Sequence, residues 1–201
     1  MRLSGGARAR QSIAAPKGKK TRPTAAKVRE AMFAVLGRRV HGARVLDLFA
    51  GSGALGLEAM SRGAASVVFV DNDAAAAFVI RRNALRLIED EDRWRIMPMH
   101  ATRALRTLRG TFDVVLIDPP YDRGAGDELA LLAQRGLLAS DGIIVVEHRS
   151  SEPLPLPATM KVIKRSKYGD TSLTFAGVRS EREQQADERS ADGRPRPTPR
   201  A

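Results

Sequence analysis

The run TFDVVLIDPPY closes on Asp118, Pro119, Pro120 and Tyr121, residue types foreign to the apolar stretch before them. Val114, Val115, Leu116 and Ile117 form the continuous hydrophobic run expected of a parallel strand covered on both faces. Asp118 then stands at the strand's C-terminal edge. The prolines have no N–H to extend a ladder, so they carry the chain out of the sheet in a stiff, extended form with carbonyls free as acceptors. Together the Asp118 carboxylate and the Pro119 carbonyl can accept both hydrogens of an exocyclic NH2, while the Tyr121 ring stacks on the base that bears it. An amine conjugated to a base is a weak nucleophile. Two acceptors around it fix its orientation and favour the positive charge that grows on nitrogen as it attacks a methyl sulfonium. This chemistry needs neither a metal nor a covalent enzyme intermediate.

A second constellation lies in VLDLFAGSGALG, where Gly51, Gly53 and Gly56 complete a G-x-G-x-x-G string between an apolar run and a helix start. Phe49, Ala50, Gly51, Ser52 and Gly53 are expected to form a loop whose backbone a ligand approaches closely, next to the free N–H groups of the following helix. Asp71, with Asn72 beside it, ends the next apolar run, where a carboxylate would meet ribose hydroxyls. Both a nicotinamide cofactor and S-adenosylmethionine carry an adenosine, so Asp71 does not separate them. Asp47 is more discriminating. Placed near the end of the first strand, it could order the glycine loop or meet the ammonium of a methionine moiety, and it would repel a pyrophosphate.

The elements that must position these residues follow from the pattern. Apolar runs at 44–50, 66–71, 94–99, 112–118 and 142–148 alternate with helical stretches at about 54–62, 74–88, 101–108 and 125–134. Five strands with helical spacers predict an open parallel α/β sheet with right-handed crossovers. RPTAAKVREAMFAVLG reads as a preceding helix with Thr24 as N-cap and Gly37 as terminator. MKVIKRSKYG and TSLTFAGV flank Gly169-Asp170, a hairpin turn signal, and predict an antiparallel pair at the sheet edge. The expected organisation is a basic extension at 1–23, a catalytic domain at 24–179 and a disordered tail at 180–201, where large apolar residues are almost absent.

Composition narrows the function classes. The 201 residues include no cysteine, which removes disulfides and thiolate chemistry, and His41, His100 and His148 have no ligand spacing, so no metal is expected. No stretch is long and apolar enough for a membrane span, and the basic start lacks the apolar core of a secretory signal, which predicts a cytoplasmic protein. The formal charge is +11, and Arg2, Arg8, Arg10, Lys17, Lys19, Lys20, Arg22, Lys27 and Arg29 precede the first acid, Glu30. A front of this kind suits a surface that follows phosphates.

TRPTAAKVREAMFAVL, VLDLFAGSGALGLEAMSRGA, VVFVDND, FDVVLIDPPY, GIIVVEH and SKYGDTSL resemble, in that order, the RsmD family of bacterial 16S rRNA guanine-N2 methyltransferases. The likeness covers roughly residues 3–178. It implies a class I, Rossmann-like methyltransferase with a mostly parallel seven-stranded sheet, helices on both faces and a C-terminal antiparallel hairpin. It also implies S-adenosylmethionine as cofactor and methylation of guanine 966 of 16S rRNA at N2, by a monomer acting on an assembled or partly assembled 30S subunit. By motif, Asp47, Phe49, Ala50, Gly51, Ser52, Gly53, Asp71 and Asn72 would line the cofactor pocket, with His100 and Ala101 at the adenine. Asp118, Pro119, Pro120 and Tyr121 would position the guanine. Arg8, Arg10, Lys17, Lys19, Lys20, Arg22, Thr24 and Arg29 would meet RNA, with Arg22, Thr24 and Arg29 near the RNA or the cofactor lid. Two rival readings are a DNA adenine-N6 or cytosine-N4 methyltransferase, which would need further sequence-reading elements, and a non-catalytic nucleic-acid-binding module, which would leave the glycine loop and DPPY unexplained.

Overall fold

The computed structural model describes residues 1–15, 23–120, 123–180, 182 and 183, with backbone alone for 23–25. Lys17, Lys19, Lys20, Arg22, Tyr121 and the tail from residue 184 onward lie outside the described residues, as does the Thr24 side chain.

A single sheet of seven strands organises the described chain, in the order β3-β2-β1-β4-β5-β7-β6. Strands β1 (Arg44–Leu48), β2 (Ser66–Asp71), β3 (Trp94–Pro98), β4 (Phe112–Ile117) and β5 (Leu138–Arg149) run parallel. Strand β7 (Thr171–Val178) returns antiparallel to β5, and β6 (Met160–Tyr168) closes the edge beside it. This is the expected doubly wound sheet with its hairpin. The crossover helices are α2 (Ala54–Ser61), α3 (Ala74–Leu87), α4 (Ala101–Thr107) and α5 (Gly126–Gln134), with α1 (Pro23–Leu36) preceding the sheet. Strand β5 is longer than the apolar run GIIVVEH because Leu138 already pairs with Phe112, across an irregularity that lets the exposed Ser140 and Asp141 belong to the strand. Thr24 is not the N-cap of α1. The helix already includes Pro23, whose fixed φ suits the first helical position and whose missing N–H is no loss there.

Each sheet face carries its own core. Val45, Val67, Phe69, Val114, Leu116 and Val145 pack under α1, α2 and α3, whereas Leu46, Val68, Val70, Val115, Ile117 and Ile144 pack under α4 and α5. Alternation along each strand thus splits one continuous apolar run between two layers.

The basic front is not a free extension up to residue 23. Residues 1–13 fold back on themselves, with Leu3 N–H donating to the Gln11 carbonyl at 3.0 Å and Ile13 N–H to that of Met1 at 2.8 Å. Leu3 and Ile13 are buried in the first core beside Val28, Met32 and Phe33. Two buried polar side chains hold this arm. Glu58 of α2 accepts from the backbone and hydroxyl of Ser4, both at 2.8 Å, and Asn83 of α3 exchanges two 3.0 Å bonds with Ala14. A cleft of about 280 Å³ under the arm is bordered by the Arg8–Glu89 ion pair and lies apart from the glycine loop.

Candidate active site

The chain leaving β1 turns sharply. Phe49 adopts φ 62°, a left-handed conformation that a non-glycine residue tolerates only under strong surrounding constraint, and Gly51 and Gly53 follow at 57° and 78°. Two carboxylates supply that constraint. Asp71, at the end of β2, accepts from Gly51 N–H at 2.7 Å through Oδ2 and from Asp73 N–H at 2.9 Å through Oδ1. Asp47 accepts from Gly56 N–H at 2.8 Å and so ties the first turn of α2 to β1. From the far side, Asn83 Nδ2 donates to the Ser52 carbonyl at 3.0 Å, linking the loop to the docked arm. Gly56 has a separate purpose: a Cβ there would come within 2.3 Å of Phe69 Cε1, so its absence lets α2 lie close on β2. At Gly51 the position of a Cβ is open, with only the Phe49 carbonyl oxygen, at 3.9 Å, inside contact range.

That open side faces a cavity of about 500 Å³ at the C-terminal edge of the sheet. Phe49, Ala50, Gly51, Ser52, Asp71 and Asn72 line it, and so do Asp118, Pro119 and Pro120, so the two constellations read from the sequence meet in one space. Four expected cofactor residues do not line it. Asp47 and Gly53 are packed behind the loop, His100 is exposed at the start of α4, and Ala101 is buried in the second core. Of the basic residues, Arg8 pairs with Glu89 at 2.6 Å and Arg10 is exposed. Arg29 is only 6% exposed. Its Nη2 donates to the Arg2 carbonyl at 2.6 Å and its Nε lies 3.5 Å from Glu58, so it holds the arm and lines the cavity instead of facing outward. Sequence reasoning missed Glu147, the acid that ends the apolar run of β5 and lines the same cavity. Its signal was present: β2, β4 and β5 each deliver an acid as the apolar run ends.

The electrostatics follow from this crowding of acids. Burial pushes Asp47 up to about 8 against the lowering effect of the Gly56 N–H, and the Asp118 and Asp71 charges add to the rise. Its Oδ1 is buried without a hydrogen-bond partner among the described residues. Burial and the Asp118 charge likewise push Glu147 up to about 8. A pocket in which carboxylates raise one another's pKa favours a cation and disfavours a pyrophosphate. The open backbone at Gly51, the acid Asp71 on the cavity wall and this negative field together fit S-adenosylmethionine, whose sulfonium and ammonium are cationic and whose adenosine carries a ribose.

Comparison with known proteins agrees. Residues 1–177 match the family profile described as conserved hypothetical protein 95. The protein YlbH of Bacillus subtilis is 38% identical over 180 residues, which span 87% of this chain and 97% of that protein. The Escherichia coli protein named ribosomal RNA small subunit methyltransferase D is 32% identical over 189 residues, 93% of this chain and 94% of its own length. A solved structure of the Escherichia coli protein YhhF superposes with a TM-score of 0.80 at 30% identity, covering 90% of this chain and 99% of that one.

Proposed function

The chain belongs to the RsmD family, whose profile is the one matched over residues 1–177, and on that premise we propose that it methylates the N2 amine of a guanine in 16S rRNA. The guanine is position 966 by family resemblance, presented within an assembled or partly assembled 30S subunit. The chain is an S-adenosylmethionine-dependent methyltransferase. The observation that carries the finer reading is the convergence of Asp118, Pro119 and Pro120 with the glycine loop and Asp71 on one cavity.

S-adenosylmethionine supplies an electrophilic methyl group on a sulfonium. The glycine loop presents backbone that a ligand can approach at Gly51, and Asp71 keeps lone pairs for ribose hydroxyls while its oxygens hold Gly51 and Asp73 N–H. Asp47 acts from behind by fixing Gly56. Asp118 and the Pro119 carbonyl accept the two N2 hydrogens and point the nitrogen lone pair at the methyl carbon. With S-adenosylmethionine bound, N2 would take its methyl group and leave the C–S bonding electrons on sulfur, and the Asp118 carboxylate would accept the N2 proton. Tyr121 stacks on the guanine. Arg8 and Arg10, with Lys17, Lys19, Lys20, Arg22 and Thr24, meet the RNA backbone, and Arg29 shapes the cavity from the arm side. The protein acts in the cytoplasm as a monomer. The name of the Escherichia coli relative, aligned over 94% of its length, supports the RNA substrate.

The test is transfer of labelled methyl to small subunits from cells lacking this enzyme, followed by mapping of the modified nucleotide. Label at a single guanine N2 in 16S rRNA is the expected result. Label in duplex DNA at adenine N6 or cytosine N4, with none in the particle, overturns it.

A further inference from the structure

Glu147 has no role in the reaction as derived so far, yet its position is constrained. Strands β4 and β5 pair in parallel register through Ile117 and Val146. Asp118 and Glu147 are the next residues along each strand, so their backbones stand about one strand spacing, about 4.8 Å, apart at the sheet edge. Both line the cavity. Among the described residues no hydrogen bond or ion pair involves the Glu147 side chain. A half-buried carboxylate beside another carboxylate, with no donor of its own, is costly unless a ligand brings donors.

We infer that Glu147 accepts the N1–H of the target guanine while Asp118 holds the adjacent N2 amine, so that the pair of acids selects guanine over adenine and cytosine. The inference rests on the guanine-N2 reading given above. Guanine carries two neighbouring donors on its Watson–Crick edge, N1–H and the N2 amine. In adenine and cytosine the ring nitrogen next to the amine is a lone-pair acceptor. Two carboxylates side by side match the donor–donor pattern. Against an adenine or cytosine an ionised Glu147 would face a lone pair, and repulsion would push the amine out of line, so the discrimination is fullest above the value of about 8 to which Glu147 is raised. The bond to N1–H also shifts electron density into the ring and toward N2, which strengthens the nucleophile. Glu147 is thus a specificity residue that touches substrate, and it takes no proton in the step itself.

The experiment, buffered above the value of about 8 to which Glu147 is raised so that the carboxylate is ionised, uses the full chain and small subunits reconstituted with 16S rRNA in which the mapped acceptor is either guanosine or, by splint ligation, 2-aminopurine. The analogue keeps the amine but has a lone pair at N1. With guanosine, Glu147→Gln is expected to lower the single-turnover rate about 10- to 150-fold, the range for loss of a hydrogen bond to a charged group. With 2-aminopurine, wild type is expected to be slow and Glu147→Gln faster than wild type, because the amide can donate to N1. Glu147→Asp, which keeps the charge, should retain the guanosine preference at a reduced rate. Cofactor affinity and melting temperature, measured on each variant, separate a folding defect from this reversal. Equal slowing of both substrates by Glu147→Gln, or no slowing with guanosine, overturns the assignment. Failure of wild type to label any guanosine has a different signature: it sinks the guanine-N2 reading first, and this inference with it.

Discussion

Asp71 is the side chain on which the glycine loop most directly hangs, and its removal gives a magnitude that can be worked from the geometry. Its two oxygens accept from Gly51 N–H at 2.7 Å and Asp73 N–H at 2.9 Å. Hydrogen bonds to a charged group contribute about 1.5 to 3 kcal/mol each, so Asp71→Ala should destabilise the fold by about 3 to 6 kcal/mol. For a domain of this size that corresponds to a fall in melting temperature of about 6 to 24 °C. Loss of the ribose contact is a separate effect, expected to raise the Kd for S-adenosylmethionine about 10- to 150-fold. Asp71→Asn keeps one acceptor but turns an NH2 toward the other N–H, so it should fall between wild type and Ala in stability. Thermal melts without cofactor read the first effect, and calorimetric titration at a temperature where each variant is folded reads the second. A melting temperature within about 2 °C of wild type, where about 1 kcal/mol or less has been lost, together with an unchanged Kd would refute the loop-anchor argument.

Asp118→Ala should lower single-turnover methyl transfer about 30- to 1000-fold, a loss of about 2 to 4 kcal/mol of transition-state stabilisation, with cofactor affinity little changed; wild-type-like rates would remove DPPY from the reaction. Asp118→Asn keeps an acceptor without the charge, so activity near that of Ala assigns the effect to charge and appreciable activity assigns it to placement. Asp47 has its pKa raised from 3.8 to about 8, so between these values the folded state holds a proton that the unfolded state has released, and its contribution to stability falls as pH rises through that window. Asp47→Asn, which keeps an acceptor for Gly56 N–H, should therefore lose less melting temperature than wild type between pH 5 and pH 8; parallel profiles would show that Asp47 titrates normally. Gly56→Ala places a Cβ 2.3 Å from Phe69 Cε1 and 2.8 Å from Val67 Cγ2. Such overpacking should destabilise by about 1 to 3 kcal/mol in denaturant unfolding, and an unchanged midpoint would show that α2 shifts without penalty.

The sheet was legible because each apolar run is bounded by a glycine, a proline or an acid at a spacing that leaves room for one helix. The run after Gly142 gave β5 its C-terminal half, but Leu138, Ala139, Ser140 and Asp141 mix polar and apolar types, and of them it is Leu138 that pairs with β4, opposite Phe112. The arm was illegible for a similar reason. Leu3 and Ile13 are isolated apolar residues among polar ones, and no local period announces that they are brought together by a turn and buried against α1. Charge counting placed Arg29 with the other basic residues, whereas the buried Glu58 that neutralises it comes from a helix 29 positions further on. His100 and Ala101 were assigned by motif position alone, and the start of α4 turns His100 to the exterior while Ala101 enters the core.

The acids at the sheet edge serve two different ends, and burial separates them. Asp47 and Asp71 are spent largely on backbone: Asp71 accepts from the Gly51 and Asp73 N–H groups and Asp47 from the Gly56 N–H of α2, and their first consequence is the strained Phe49 conformation and the exposed backbone at Gly51. Glu147 accepts nothing from the described protein, and burial together with the Asp118 charge on the same cavity wall pushes it up to about 8. A site that contained Glu147 only to hold itself together would pair it with a donor, as Glu58 is paired with Ser4, Arg29 and Arg62. On the proposed reading, the negative potential of the cavity would attract a sulfonium on one side and a base edge rich in N–H groups on the other. In the proposed reaction, methyl transfer would move positive charge from sulfur toward nitrogen, so the same carboxylates would attract the cofactor before the step and stabilise the methylated amine during it. Catalysis requires the second interaction to exceed the first, and in the proposed reaction Asp118, which follows β4 on the cavity wall, would provide the difference by standing beside the amine.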